Sequence, residues 1–156
     1  MSHDAPSFRP ATRADVGLIV QMLADDFIGA SREQSVAATP ASYYAAFDAI
    51  AADANNELLV AEVDGHVVGV LQLTFIPNLT NQGGWRAQIE GVRVAGNQRG
   101  RGLGAAMIRH AIVKARERGC VLVQLTSDKR RADALRFYES LGFVASHQGM
   151  KLFLGH

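Results

Sequence analysis

The stretch Val92-Arg93-Val94-Ala95-Gly96-Asn97-Gln98-Arg99-Gly100-Arg101-Gly102-Leu103-Gly104 constrains this chain more than any other. Before it lies a segment that reads as a strand, and after it apolar residues recur at helical spacing. Glycines at 100, 102 and 104 leave alternate positions bare of side chains. Backbone N–H groups at the helix start can then point at a single anion, helped by the helix dipole. Arg99 and Arg101 add positive charge. In physical terms the loop is a phosphate cradle, and it demands a fold that delivers a strand directly into a helix.

Several cradles share that description. A Walker-type loop needs Gly-Lys-Ser/Thr, and neither Lys nor Ser/Thr follows here, so a kinase or ATPase is a poor reading. Residues 100–105 do match a loose dinucleotide fingerprint, G-x-G-x-x-G/A. That fingerprint sits directly after its strand, near the start of a doubly wound fold. Here about five residues intervene after Val94, and three antiparallel strands are expected upstream. The bland alternative, glycines serving only a tight strand-to-helix turn, is weakened by the two arginines.

The remainder of the chain supplies the frame. Residues 7–10 read as an edge strand. Thr12 offers a helix cap with Asp15 three residues on, and Val16, Ile19, Val20, Leu23 and Phe27 follow at helical spacing. A second helix starts near Thr39-Pro40, with proline at the first helical position. The period then changes: 57–63 and 67–75 read as strands joined by the Asp64-Gly65 hairpin turn, 77–84 as a loop, and 87–94 as a third strand. A helix spans 103–118, with Leu103, Met107, Ile108, Ala111, Ile112 and Ala115 toward the core and Arg109, His110, Lys114 and Arg116 toward water. Residues 120–126 are an apolar run, the mark of a strand buried on both faces. A helix over 132–140 and two short strands, 143–146 and 150–154, complete the order. The strand–helix–strand unit at 87–126 implies one parallel pair. The expected class is α+β: a mixed, mainly antiparallel sheet with one parallel strand–helix–strand crossover and helices on both faces.

Composition sets outer limits. A chain of 156 residues, 48% hydrophobic and 20% charged, fits a single globular domain over 1–156. No apolar run approaches the roughly 20 residues of a membrane span, so no membrane partner is expected. The N-terminus lacks the basic start and apolar stretch of a signal peptide. The one cysteine, Cys120, cannot form an internal disulfide, and a reduced, cytoplasmic compartment is the simplest expectation. No Cys/His cluster marks a zinc site, so no metal is expected. Charge is asymmetric: residues 1–92 hold four basic and eleven acidic side chains, while 93–131 hold ten basic and two acidic. The basic segment is suited to meeting an anion. It contains no Phe, Trp or Tyr for base stacking, so no nucleic-acid partner is expected.

Three motifs in order carry a family resemblance. Arg99-x-x-Gly102-x-Gly104, opening a helix after a strand, resembles the acyl-CoA loop of the GNAT superfamily of N-acetyltransferases. Ala134-Leu135-Arg136-Phe137-Tyr138-Glu139-Ser140-Leu141-Gly142-Phe143 resembles that family's A-x-x-x-Y-x-x-x-G-F ending. Gln88-Ile89-Glu90-Gly91-Val92-Arg93-Val94 is similar to the strand before its loop. The resemblance implies acetyl transfer from acetyl-CoA to a primary amine, on a small molecule or a peptide, by direct attack in a ternary complex. It implies that Arg99, Gly100, Arg101, Gly102, Leu103 and Gly104 grip the pyrophosphate. Val92, Arg93 and Val94 would pair with the pantetheine arm, a backbone N–H there polarising the thioester carbonyl. Gly91 is a natural place for a bulge that aims it. Where many members carry a cofactor-contacting Asn, this chain has Arg131, which could meet a phosphate instead.

The same resemblance assigns the proton transfers. Glu90 interrupts an apolar strand and matches a glutamate that often acts through water as the base; its bland alternative is a solvated strand residue. Tyr138 is the candidate acid for the leaving thiolate; its alternative is an amphipathic core residue on the stripe of Leu135 and Leu141. Asp25, Asp26 and Glu33 lie around the end of the first helix, which in this family borders the acceptor site; they hint at a cationic amine, and surface solvation explains them equally well. Members are often dimers, which leaves a homodimer open. Cys120 reads as core rather than nucleophile, because no His–acid pair accompanies it. The rival function is an acyl-CoA-binding protein of the same fold without turnover.

Overall fold

The computed structural model describes residues 5–25, 29 and 39–155. The chain forms two compact units, Met1–Gln124 and Leu125–His156. Phe27, Asp26 and Glu33 lie outside the described residues.

The first unit is built on a mixed sheet of β1 (Ser7–Pro10), β2 (Asn56–Val63), β3 (His66–Ile76), β4 (Arg86–Val94) and β5 (Leu122–Leu125), in that spatial order. β1 through β4 pair antiparallel, and β5 runs parallel beside β4. Among the described residues, α1 (Val16–Ala24), α2 (Ala41–Ala52) and α3 (Leu103–Glu117) accompany it. This is the expected α+β architecture. The hairpin between β2 and β3 turns on Asp64 and Gly65, with φ of 53° and 77°, the left-handed pair that a two-residue turn requires.

Strand alternation explains why helices pack on both faces. Val60 and Val70 are cross-strand partners and form a buried cluster with Ile19 and Met22 of α1. Their neighbours Ala61 and Gly69 point the other way, where a Cβ on Gly69 would come within 2.6 Å of the Met107 sulfur of α3. Gly69 is therefore what lets α3 lie close to the sheet. Leu73, Phe75, Met107 and Ile108 are at most 2% exposed, each burial contributing roughly 1.5–3 kcal/mol. The entry to α1 is fixed by charge: Arg9 donates to Glu62 at 2.6 Å and to Asp15 at 2.7 Å, and the Thr12 N–H donates to Asp15 at 2.7 Å. The expected Thr12–Asp15 cap is present, opening on a single 3₁₀ turn, Arg13–Asp15. Pro40 stands immediately before the first residue of α2 rather than inside it.

The second unit contains α4 (Ala134–Ser140), which ends on Gly142 in the left-handed region, φ 97°. The Gly142 N–H donates to the Glu139 carbonyl and the Phe143 N–H to the Tyr138 carbonyl, at 3.0 and 3.1 Å. That is a Schellman ending, and its usual apolar contact is the Tyr138–Phe143 ring pair, 5.8 Å between centroids.

Three expectations are corrected and one is refined. Residues 143–146 and 150–154 form no strands. Strands need a hydrogen-bonded neighbour, and these residues have no strand partner among the described residues. β5 is half-buried along its length rather than buried on both faces, because it is the outer strand of the sheet. The 77–84 segment remains a loop, refined by one left-handed turn at Asn81, Gln82 and Gly83. Of the four α3 residues expected to face water, His110 stacks on Phe8 at 4.2 Å and Lys114 reaches Glu57 at 3.2 Å.

Candidate active site

The site is organised by an irregularity in β4. Arg93 is opposite Val70 and Glu90 is opposite Gln72, so Gly91 and Val92 together oppose Leu71 alone. This is the bulge anticipated at Gly91, whose φ is +62°. A side chain there would be strained by the backbone and not by neighbours, since the nearest atom to a Cβ is 3.9 Å away. Beyond the bulge, 91–94 runs past the end of β5, so among the described residues no strand flanks it on that side.

The chain then turns. Ala95 still donates to the Val68 carbonyl at 2.8 Å, residues Gly96–Gln98 make one 3₁₀ turn, and Gly100 and Gly102 follow with φ of 79° and 78°. Gly102 caps α3 from the left-handed region, and the first helical bond runs from Ala106 N–H to its carbonyl at 3.1 Å. The amides of the first turn have no intrahelical acceptor by the geometry of any helix. A Cβ at Gly100 or Gly102 would find nothing within 4 Å. The glycines therefore serve backbone conformation and open approach, not packing. An open, basic loop ahead of a 15-residue helix fits an anion such as pyrophosphate.

Arg99 has a partner. Its guanidinium donates to the Asp25 carbonyl at 3.1 Å and lies 3.6 Å from the Asp25 carboxylate. The loop is thereby latched to the end of α1. Beside that latch lies a cleft of about 440 Å³ lined by Leu18, Gln21, Met22, Ala24, Asp25, Ala95 and Gly96.

Glu90 is exposed on the sheet face that carries Gln88 and Arg86. Three hydrogen bonds link these groups. Arg86 donates to Gln124 at 3.2 Å, Gln124 to Gln88 at 2.9 Å, and Gln88 to Glu90 at 2.7 Å. The chain of amides orients the carboxylate and crosses from β5 to β4. Sequence reasoning named only Glu90. The signal for the others was the polar alternation Arg86, Gln88, Glu90, which marks one face of a strand.

The structure thus groups Glu90, Val92, Arg93, Val94 and Arg99 to Gly104 along β4 and the turn after it. Arg131 and Tyr138 belong to the second unit. Arg131 closes a turn by donating its N–H to the Asp128 carbonyl at 2.9 Å, and the Tyr138 ring packs edge-on against Phe137 as well as Phe143. Burial pushes the Cys120 thiol pKa up, opposed by Arg118, which suits core packing and not nucleophilic attack. No group of three or more candidate metal ligands occurs among the described residues. No helix there is long and apolar enough to cross a membrane.

Comparison with known proteins bears on this geometry. The sequence profile described as "Acetyltransferase (GNAT) family" matches residues 19–143. A glucosamine 6-phosphate N-acetyltransferase of Trypanosoma brucei brucei is 39% identical over 56% of this chain and 58% of its own length. An aminoalkylphosphonate N-acetyltransferase of Salmonella typhimurium is 32% identical over 61% of each chain. The chain therefore covers about three-fifths of the length of these curated relatives. A crystal structure described as a transcriptional regulator from Bacillus halodurans C-125 is 52% identical, covers 96% of this chain and 100% of that one, and has a TM-score of 0.93.

Proposed function

The chain belongs to the GNAT acetyltransferase family, and on that premise we propose that it transfers an acetyl group from acetyl-CoA to the primary amine of a small molecule. The observation that carries this reading is the pairing of a bulged β4 with a left-handed glycine turn into α3. The first exposes strand backbone where a pantetheine arm needs it, and the second exposes helix amides where a pyrophosphate needs them.

In this reading the amides of residues 100–104 bind the pyrophosphate, with Arg101 and, once released from Asp25, Arg99 adding charge. Val92, Arg93 and Val94 hold the pantetheine arm, and an N–H of this segment polarises the thioester carbonyl. Glu90 accepts the ammonium proton, directly or through water. The amine nitrogen then attacks the carbonyl carbon, the C–S bond breaks, the Tyr138 hydroxyl protonates the thiolate, and the surplus proton left on the new amide nitrogen restores the phenol. Arg131 takes the phosphate contact made elsewhere in the family by Asn. The whole chain serves this one activity; the profile match supports that, since it runs across the boundary between the two units.

The curated relatives support one acceptor class. Both named substrates are small amines that carry a phosphate or phosphonate. Arg86, on the same strand face as Glu90, is a cation suited to such a group. The second reading is an acyl-CoA-binding protein of the same fold without turnover; the description of the Bacillus halodurans structure names a regulator and no acetyl transfer, which is consistent with it. Steady-state thiol release separates the two. Turnover with acetyl-CoA and a phosphorylated amine supports the transferase; tight acetyl-CoA binding with no release across a panel of amines supports the binding protein.

A further inference from the structure

The hydrogen bonds that end on Glu90 have a direction, and the residues at their two ends enforce it. An arginine can only donate, and a carboxylate can only accept. Between Arg86 and Glu90 stand two amides, each able in itself to face either way. Arg86 Nη1 donates to Gln124 Oε1 at 3.2 Å, so the Gln124 nitrogen faces Gln88. That nitrogen donates to Gln88 Oε1 at 2.9 Å, so the Gln88 nitrogen faces Glu90, 2.7 Å from Oε1. Neither amide can turn over without setting donor against donor and acceptor against acceptor.

Both ends of this chain of bonds are fixed. At its head, Arg86 Nη2 donates to Thr80 Oγ1 at 2.9 Å. Thr80 leads into the turn where Asn81 and Gln82 hold φ of 53° and 58°, a conformation that residues other than glycine seldom adopt. At its tail, Gln88 is the hydrogen-bond partner of the Glu90 carboxylate among the described residues. Gln72, opposite Glu90 on β3, is turned to Asn56, to which it donates at 3.1 Å. Oε2 is the Glu90 oxygen left for a proton.

We propose, on the reading of Glu90 as the base, that Gln88 and Gln124 are positioning residues for acetyl transfer. The directed chain from Arg86 reserves Oε1 for Gln88 and presents Oε2 as the atom that takes the ammonium proton. There an N–H bond breaks, an O–H bond forms on Oε2, and the nitrogen keeps the electron pair with which it attacks. An exposed carboxylate without such a bond samples several rotamers. One held by a single oxygen meets the amine in one pose, which is how orientation contributes to rate.

Isosteric substitutions test the direction. Gln124→Glu keeps the acceptor for Arg86 and removes the donor to Gln88, which then turns its nitrogen to position 124 and its oxygen to Glu90. kcat should fall roughly 10–100-fold, with KM for acetyl-CoA unchanged. Because the new carboxylate faces Arg86, melting temperature should not fall, and a slower enzyme of undiminished stability is not what a packing role produces. Gln88→Glu, which removes the donor to Glu90 itself, should lower kcat in the same way. The Glu90 carboxyl carbon resonance, read at neutral pH without turnover, should shift in Gln124→Glu although position 124 makes no bond to Glu90. Wild-type kcat in Gln124→Glu, or an unchanged resonance, would overturn the proposal. Glu90→Gln keeps the two possible failures apart. If it slows turnover and Gln124→Glu does not, Glu90 is the base and the amides do not position it. If it leaves turnover untouched, the base role itself fails and the amides have no reaction to serve.

Discussion

Gly102 and Glu90 can each be tested by a single change, because neither contributes to the core. Gly102 has a φ of 78° and open space where a Cβ would stand. Gly102→Val should strain the turn and block backbone approach, weakening acetyl-CoA binding several-fold or more in a calorimetric titration of folded protein. Unchanged affinity would remove the loop from the cofactor site. Glu90→Gln keeps the hydrogen-bonding shape opposite Gln88 and loses the proton acceptor. The rate should drop at neutral pH and partly recover at high pH, where free amine is plentiful; a pH–rate profile superimposable on wild type contradicts the role. Tyr138→Phe keeps the ring that packs against Phe137 and Phe143. Melting temperature should hold while turnover falls roughly 10–1000-fold. Full turnover, or early melting with turnover intact, would return Tyr138 to a packing role. Gly91 and Glu90 were legible because a glycine and the one carboxylate stand out in the strand, and Gly102 because it sits among alternating glycines ahead of a helix. The Arg99–Asp25 latch and the Gln88–Gln124 bond were not, since they join residues 74 and 36 positions apart.

At the scale of elements, β4 does most to build the site, and its alternation, bulge and outgoing turn were all readable. The outer part of the sheet was not. The apolar run 120–126 reads as doubly buried, yet β5 lies at the edge, because period alone does not say which strand is outermost. Residues 143–146 and 150–154 look like short strands because they are rich in apolar residues, but composition supplies no hydrogen-bonded neighbour. The start of α1 makes a prediction in acid. The Arg9 hydrogen bond, with help from Thr12, holds the Asp15 carboxyl at about 2, below its ordinary 3.8. A lowered carboxyl stabilises the fold fully above its unfolded value, and that contribution disappears as the pH falls through 4 toward 2. Asp15→Asn should therefore cost roughly 1–2 kcal/mol at neutral pH and give a shallower loss of stability in acid. Equal melting temperatures at neutral pH would show that the Arg9–Asp15 pair contributes nothing net.

At the scale of the whole molecule, the order of elements identified the family before any side chain was placed, because three motifs in sequence order leave few folds open. The division into two units left no trace in composition: its boundary, between Gln124 and Leu125, falls inside β5 and not in a run rich in Pro, Gly or Ser. The exposure of Val144, Met150, Leu152, Phe153 and Leu154 was equally hidden, since reading 143–146 and 150–154 as strands says nothing of what covers them. The central claim is direct acetyl transfer to an amine, and isotope-labelled acetyl-CoA tests it most directly. After incubation with a phosphorylated amine, mass spectrometry should find the label on the amine nitrogen, one thiol released per product, and none on the protein. Label retained on the protein, or no acetylated amine from any acceptor despite bound acetyl-CoA, would contradict the account.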